Sequence, residues 1–260
     1  EIIDSIRKRG FHPRLKRKLP EGVEAYQIEE IRSALDGANL VIGGVSSFGV
    51  EWFSENVLPI LTQSIPLLLV TKGLIEKDGM LQSFPDYMNK KVNGQLTICA
   101  IGGPCTSYEL ADRRHSAVCF CGPDPFLLNK LKAMLETDYY HISVSTDVIG
   151  VETAVSLKNA YALGVSLAVG LIEKNEGEGS VAYNPQAALF GQAMREIAAI
   201  VKLLGGTEQS VAVGVSDLYV TIFGGRTRRL GILLGRGLSL EAALAELSGV
   251  TLESVAIVTS

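Results

Sequence analysis

Short apolar runs recur through the first 145 residues, separated by stretches with apolar residues at helical spacing. The runs are Leu40–Val45 (LVIGGV), Pro66–Val70 (PLLLV), Leu96–Ile101 (LTICAI), Ala117–Cys121 (AVCFC) and His141–Val144 (HISV). Each is continuous rather than alternating, as expected for strands covered on both faces. Ile28–Leu35, Val50–Leu61 and Phe126–Leu135 read as helices between them. Asp124 suits the N-cap of the last one and Pro125 its first turn. Strand followed by helix, repeated, predicts a doubly wound, largely parallel sheet, an α/β unit over residues 1–145.

From about Asp147 the pattern changes to all-α. Val148–Ile172, Pro185–Leu204 and Ser239–Leu247 read as helices, with glycine-rich breaks at 177–179, 205–206 and 224–225. Residues 146–260 therefore form a second, helical unit, with the boundary near Ser145–Asp147. Thr153–Ile172 is long enough to span a bilayer, but it carries Lys158, Asn159 and several small polar residues, so a buried helix is expected and no membrane span. The chain opens on a helix-like EIIDSIRKRG, with no G-x-G-x-x-G near its start and no phosphate-loop motif.

Composition narrows the function classes. Lys and Arg number 24 against 28 Asp and Glu, giving a net charge of −4, which disfavours a nucleic-acid or anionic-membrane partner. With 47% hydrophobic and 20% charged residues in 260, the chain has material for a sizeable core and is not disordered. Four cysteines are too few for a disulfide scaffold, and reduced thiols in a cytoplasmic protein are expected. No signal peptide is visible after Glu1.

Four places carry candidate chemistry. Lys158 is the only charged residue between Thr153 and Ile172. Desolvation disfavours an ammonium, so this lysine either serves as a proton donor and acceptor or extends its head to water or to a structural carboxylate. Arg226, Arg228 and Arg229 follow Gly224–Gly225 and could clamp an anion, although such basic loops are commonly just solvated. Lys72, in Thr71-Lys72-Gly73, follows a strand end, where doubly wound sheets bind ligands. Gly102-Gly103-Pro104-Cys105 follows another, where glycines permit close approach. Cys119 and Cys121 lie in a buried strand and are expected to point to opposite faces, unable to share a metal. His12, His115 and His141 show no metal-ligand spacing, and no metal site is expected.

Taken in order, TKG, GGPC-x-x-x-E-L-A, TDVIGVE with SLKN, N-P-Q-A-A, SDL-x-x-T and GGRTRRLG resemble the NAD(P)-dependent glycerol-3-phosphate dehydrogenases over nearly the whole chain. The resemblance implies a Rossmann-like sheet followed by a helical substrate domain. It implies hydride transfer between NAD or NADP and C2 of dihydroxyacetone phosphate, a small phosphorylated substrate. Lys158 matches the catalytic lysine, Lys72 a second lysine near the nicotinamide, and Asp217 with Thr221 the polar pair orienting lysine and substrate. Asn159, Thr221, Arg226, Thr227 and Gly103 are implied as substrate-binding, and Ser46, Lys72 and Arg226 as cofactor-binding. A homodimer is possible.

The sequence departs from the family pattern at Thr227, where an asparagine is usual, at Ser216 and at Cys105. Against that pattern the opening strand, glycine turn and first helix, and the helices after Ser260, are absent, so a fragment is expected. Two other readings stand beside this one. One is a related dehydrogenase acting on a 3-hydroxy acid or nucleotide sugar. The other is a binding protein that kept the fold without catalysis.

Overall fold

The computed structural model describes residues 1–62, 65–77, 79–93 and 95–247. Helix α1 (Ile2–Arg9) leads into a small hairpin of β1 (Phe11–His12) and β2 (Arg17–Lys18), and α2 (Ile31–Leu35) follows. The main sheet begins with β3 (Val41–Gly43). After α3 (Val50–Asn56) come β4 (Leu67–Leu69), a second hairpin of β5 (Leu74–Lys77) and β6 (Met80–Ser83), and α4 (Phe84–Lys91). Then follow β7 (Ile98–Gly102), α5 (Ser107–Ala111), β8 (Ser116–Cys121), α6 (Pro125–Leu135) and β9 (Tyr140–Ser145). Helices α7 (Val148–Glu176), α8 (Tyr183–Leu203), α9 (Glu208–Phe223), α10 (Gly225–Gly235) and α11 (Leu240–Glu246) complete the described chain.

The main sheet has the order β3-β4-β7-β8-β9. The pairs β3–β4, β4–β7 and β8–β9 are parallel, whereas β7 and β8 run antiparallel. The largely parallel sheet is thus a mixed one. Its reversal has a simple cause: between β7 and β8 only the five-residue α5 forms, and a parallel crossover needs a helix long enough to cross a sheet face. Burial on both faces holds for the central β4 and β7, every residue of which is buried. It fails at the edges, where β3 and β9 are only partly covered and Ile42 is 52% exposed.

Strand β8 sorts its side chains by parity. Cys119 and Cys121 enter the core formed with Val50, Phe53 and Met88, while Val118 and Phe120 enter the core under α6. The two cysteines therefore share one face, because alternate residues of a strand do, and the expectation of opposite faces is corrected. Burial holds both thiols above their ordinary range. His115 Nδ1 and His141 Nε2 come within 3.0 Å as a stacked, exposed pair. Among the described residues no group of three or more metal donors is gathered.

Helix α7 runs through the helical unit, packed against α8, α9 and α10. By length and composition it could cross a membrane, and Ala154, Ala162, Val165 and Val169 are instead buried in the protein. Asp147 starts it. Its carboxylate accepts from Gly150 N at 2.9 Å and, at 2.7 Å each, from Thr207 N, Thr207 Oγ1 and Ser210 Oγ, so one side chain caps α7 and ties it to the start of α9. Burial pushes this carboxyl up, but the four hydrogen bonds outweigh it and hold the group below its usual range. Asp147→Ala is expected to cost about 2–3 kcal/mol in urea unfolding at neutral pH. A depressed carboxylate pKa contributes stability above the unfolded value and loses it as pH falls through the folded one. The gap between wild type and variant should accordingly close in acid.

Candidate active site

The site is assembled where the C-terminal ends of β4 and β7 meet α7, α9 and α10. Thr71 Oγ1 donates to the carbonyl of Val45 at 2.5 Å, which fixes the turn after β4 and aims Lys72 toward the helices. Gly103 follows β7 with φ of +100°, a left-handed conformation that favours glycine. Its carbonyl accepts from Lys72 Nζ at 2.6 Å. On the helical side, Gly214 lets α9 lie directly on α7, since a Cβ there would sit 2.5 Å from the carbonyl oxygen of Ala154. Asp217, one turn further on, is thereby brought against Lys158.

One carboxylate then holds both lysines. Asp217 Oδ2 accepts from Lys72 at 2.6 Å and Oδ1 from Lys158 at 2.7 Å, with the Asp217 side chain 5% exposed. Burial and the neighbouring charge of Lys72 push Lys158 down to about 8, against the opposing pull of Asp217. An amine with that proton affinity can both give and take a proton near neutral pH. Lys158 has a carboxylate partner and also faces a cleft of about 310 Å³, so the two sequence readings of this lysine coexist in one geometry.

Lys72, Lys158, Asn159, Asp217, Thr221, Arg226 and Thr227 all line that cleft, although the first and last are far apart in the chain. The Thr221 hydroxyl donates to the carbonyl of Asp217 at 2.7 Å. The arginine cluster is not gathered as a three-pronged clamp. Arg226 reaches the cleft, but Arg228 donates to the carbonyl of Ile222 and Arg229 lies off the cleft wall. Arg226 and Arg228, two residues apart on α10, point to different faces of that helix. Ser46 is exposed just after β3 and off the cleft wall.

The structure adds residues that the sequence reading assigned no role. Thr106 and Tyr108 line the cleft, next to Cys105 of the Gly102–Cys105 turn. Glu152, on α7, is fully buried near both lysines. An acid inside an otherwise apolar helical stretch was the available signal for it.

The family model for the C-terminus of NAD-dependent glycerol-3-phosphate dehydrogenase matches residues 147–260, and that for the N-terminus matches residues 1–125. The chain belongs to this family. It is 36% identical over 251 residues to the NADP(+)-dependent glycerol-3-phosphate dehydrogenase of Archaeoglobus fulgidus, covering 95% of this chain and 73% of that protein. It is 30% identical over 243 residues to the glycerol-3-phosphate dehydrogenase [NAD(P)+] of Symbiobacterium thermophilum, covering 92% and 67%. Its fold is that of the glycerol-3-phosphate dehydrogenase of Coxiella burnetii, with a TM-score of 0.85, 23% identity, and 98% of this chain and 76% of that one covered. The α/β unit is thus Rossmann-like, and the chain is an oxidoreductase of an NAD(P)-dependent family.

The residues present fit the reactive end of a nicotinamide cofactor. Of the glycines at the ends of β3 and β7, Gly44 leaves room, since a Cβ there would meet nothing nearer than Val70 Cγ2 at 3.6 Å, whereas Gly43 is closed by Leu69, Gly102 by Val151 and Gly103 by the backbone of β8. Lys72, Lys158 and Asn159 offer hydrogen-bond donors to such a group from the cleft wall.

Proposed function

We propose that this chain interconverts dihydroxyacetone phosphate and sn-glycerol 3-phosphate, with Lys158 as the proton donor and acceptor. The observation that carries the reading is the single carboxylate, Asp217, bridging two lysines at one end of a cleft whose other end is the start of α10. NAD or NADP, when bound, supplies or receives the hydride at C2. Lys158 then gives its proton to the C2 oxygen as the carbonyl becomes an alkoxide, and takes it back in the oxidation. Lys72, held by Asp217 and the carbonyl of Gly103, places a second positive charge beside the same oxygen. Asn159 and Thr221 offer polar contacts to the substrate hydroxyls and to the nicotinamide.

The phosphate would sit at the N-terminus of α10, where free backbone N–H groups and the helix dipole favour an anion. Arg226 supplies the charge there, and Thr227, 8% exposed, supplies a hydroxyl where the family usually has an amide. Gly103 shapes the floor through its backbone, and Ser46, beyond the cleft, is placed on the cofactor side. On this reading residues 1–145 belong to the dinucleotide-binding domain, and 146–260 to the helical substrate domain. The free thiols support a cytoplasmic location. The exposed Tyr183, Leu189, Met194 and Leu203 of α8 support a homodimer.

NADH and NADPH oxidation with dihydroxyacetone phosphate, against a panel of 3-hydroxy-acid precursors and nucleotide sugars, tests the assignment. Turnover of another substrate alone would replace it with a related dehydrogenase, and dinucleotide binding without turnover would leave a binding protein. Arg226→Ala should lower kcat/KM for the phosphorylated ketone about 10- to 100-fold, mostly through KM, the size expected for one charge-assisted contact. Turnover of dihydroxyacetone itself, which lacks the phosphate, should change little.

A further inference from the structure

His115 and His141, 26 residues apart in the chain, meet across the last two strands of the main sheet. Ala117 pairs with His141 in the parallel register of β8 and β9, and Ser116 N donates to the carbonyl of Tyr139 at 2.8 Å. His115, one residue before β8, therefore stands diagonal to His141, on the face of the sheet that Ala117 shares. Diagonal neighbours meet only through long side chains. Here His115 Nδ1 comes to 3.0 Å from His141 Nε2, with the ring planes parallel to within 1° and the ring centroids 5.3 Å apart.

Two nitrogens so placed can share a proton or a metal ion. Zinc holds imidazole nitrogen at about 2.0–2.1 Å in a tetrahedron, which sets two histidine nitrogens about 3.3 Å apart and their ring centroids about 5.2 Å apart. The observed pair fits once each exposed ring tilts toward a common point. The neighbouring charges leave both nitrogens free. Arg113 lies over the Tyr139 ring at 5.9 Å, and Arg114 donates to Glu109 at 3.2 Å. On the other side Glu136 Oε1 accepts from the N–H of Ile142, next to His141, at 3.0 Å, and Lys132 lies 3.5 Å from the same oxygen.

We propose that His115 and His141 form a two-nitrogen site for a divalent transition ion, with Zn²⁺ the ion whose geometry they fit and water completing its coordination. Imidazole suits zinc, copper and nickel, whereas magnesium and calcium take oxygen ligands. Two protein ligands on an exposed sheet face make an exchangeable site, not one on which the fold depends. The ion takes the place of the proton held between the rings, so its binding releases that proton. Neither histidine lines the cleft, and the site stands independently of the role of Lys158.

Calorimetric titration of the chain, prepared without a histidine tag, with Zn²⁺ and Ni²⁺ tests this, with excess Mg²⁺ as the control. One Zn²⁺ or Ni²⁺ should bind per chain, and Mg²⁺ should not compete. His115→Ala and His141→Ala, both at exposed positions, should each weaken binding at least about 10-fold, because loss of even an outer partner of a metal ligand costs about 10–100-fold. His12→Ala and Cys105→Ser should leave the affinity unchanged. Saturating Ni²⁺ should raise the melting temperature of the wild-type chain, and the rise should vanish in both His115→Ala and His141→Ala. Failure of Zn²⁺ and Ni²⁺ to bind, or binding that keeps full strength in either variant, overturns the proposal. Binding abolished by Cys105→Ser also overturns it, since the ion would then sit on the free thiol at the cleft.

Discussion

Replacing Lys158 by alanine should lower kcat about 10²- to 10⁴-fold in both directions, the range for loss of a general acid or base. The reason is local. Lys72, the other lysine of the cleft, is held by both Asp217 Oδ2 and the Gly103 carbonyl, whereas Lys158 has Asp217 Oδ1 alone and keeps more of its ammonium free for substrate. Stability should change little, with the melting temperature within about 2–4 °C of wild type. The ammonium removed is one that burial already disfavours, and Asp217 keeps Lys72 as its partner. In the wild-type enzyme the two directions should divide at the proton affinity of this group. Reduction, which needs the ammonium, should fade as pH rises through about 8, and oxidation, which needs the free amine, should rise over the same range. A Lys158→Ala protein with wild-type kcat would remove the mechanism.

Asp217→Asn is expected to affect both activity and fold. It leaves two ammoniums, 15% and 17% exposed, facing each other without their shared counter-charge. Removing one partner from a buried ion pair costs about 3–5 kcal/mol, and access to water in the cleft places this case near 3. The carboxylate is also what pulls the Lys158 proton affinity up against burial and Lys72. Without it the affinity should drop by roughly 1–3 units. The alkaline limb of reduction should then move down by that amount, and reduction at neutral pH should fall up to about 100-fold. Oxidation in mild acid should suffer less, since the free amine becomes easier to form. Urea unfolding together with the pH profile checks this. An unshifted limb would show that Asp217 does not set the charge state of Lys158.

The five strands of the main sheet and the long helices α6, α7 and α8 were legible from periodicity, because each is long enough or apolar enough to repeat a pattern. The hairpins β1–β2 and β5–β6 were not. Their strands have two or four residues and mixed polarity, and only pairing with a neighbour makes them strands. Helix α9 was also missed, since Val211-Ala-Val-Gly-Val215 is rich in β-branched residues and carries a glycine. That glycine is what allows α9 to rest on α7, so the feature that hides the helix locally is the one that docks it.

The chain by itself determined which residues are out of place in greasy surroundings: a lysine in an apolar helix, and lysines, glycines and arginines at strand and helix ends. It also determined the order of the five main-sheet strands and of the long helices α6, α7 and α8, because hydrophobic period is a local property. Only the tertiary structure decided that Asp217 reaches both Lys72 and Lys158 across separations of 145 and 59 residues, that one arginine of three faces the cleft, and that β8 runs backward. Side-chain distance and electrostatic coupling act through space, and sequence separation carries no information about either until the chain has folded.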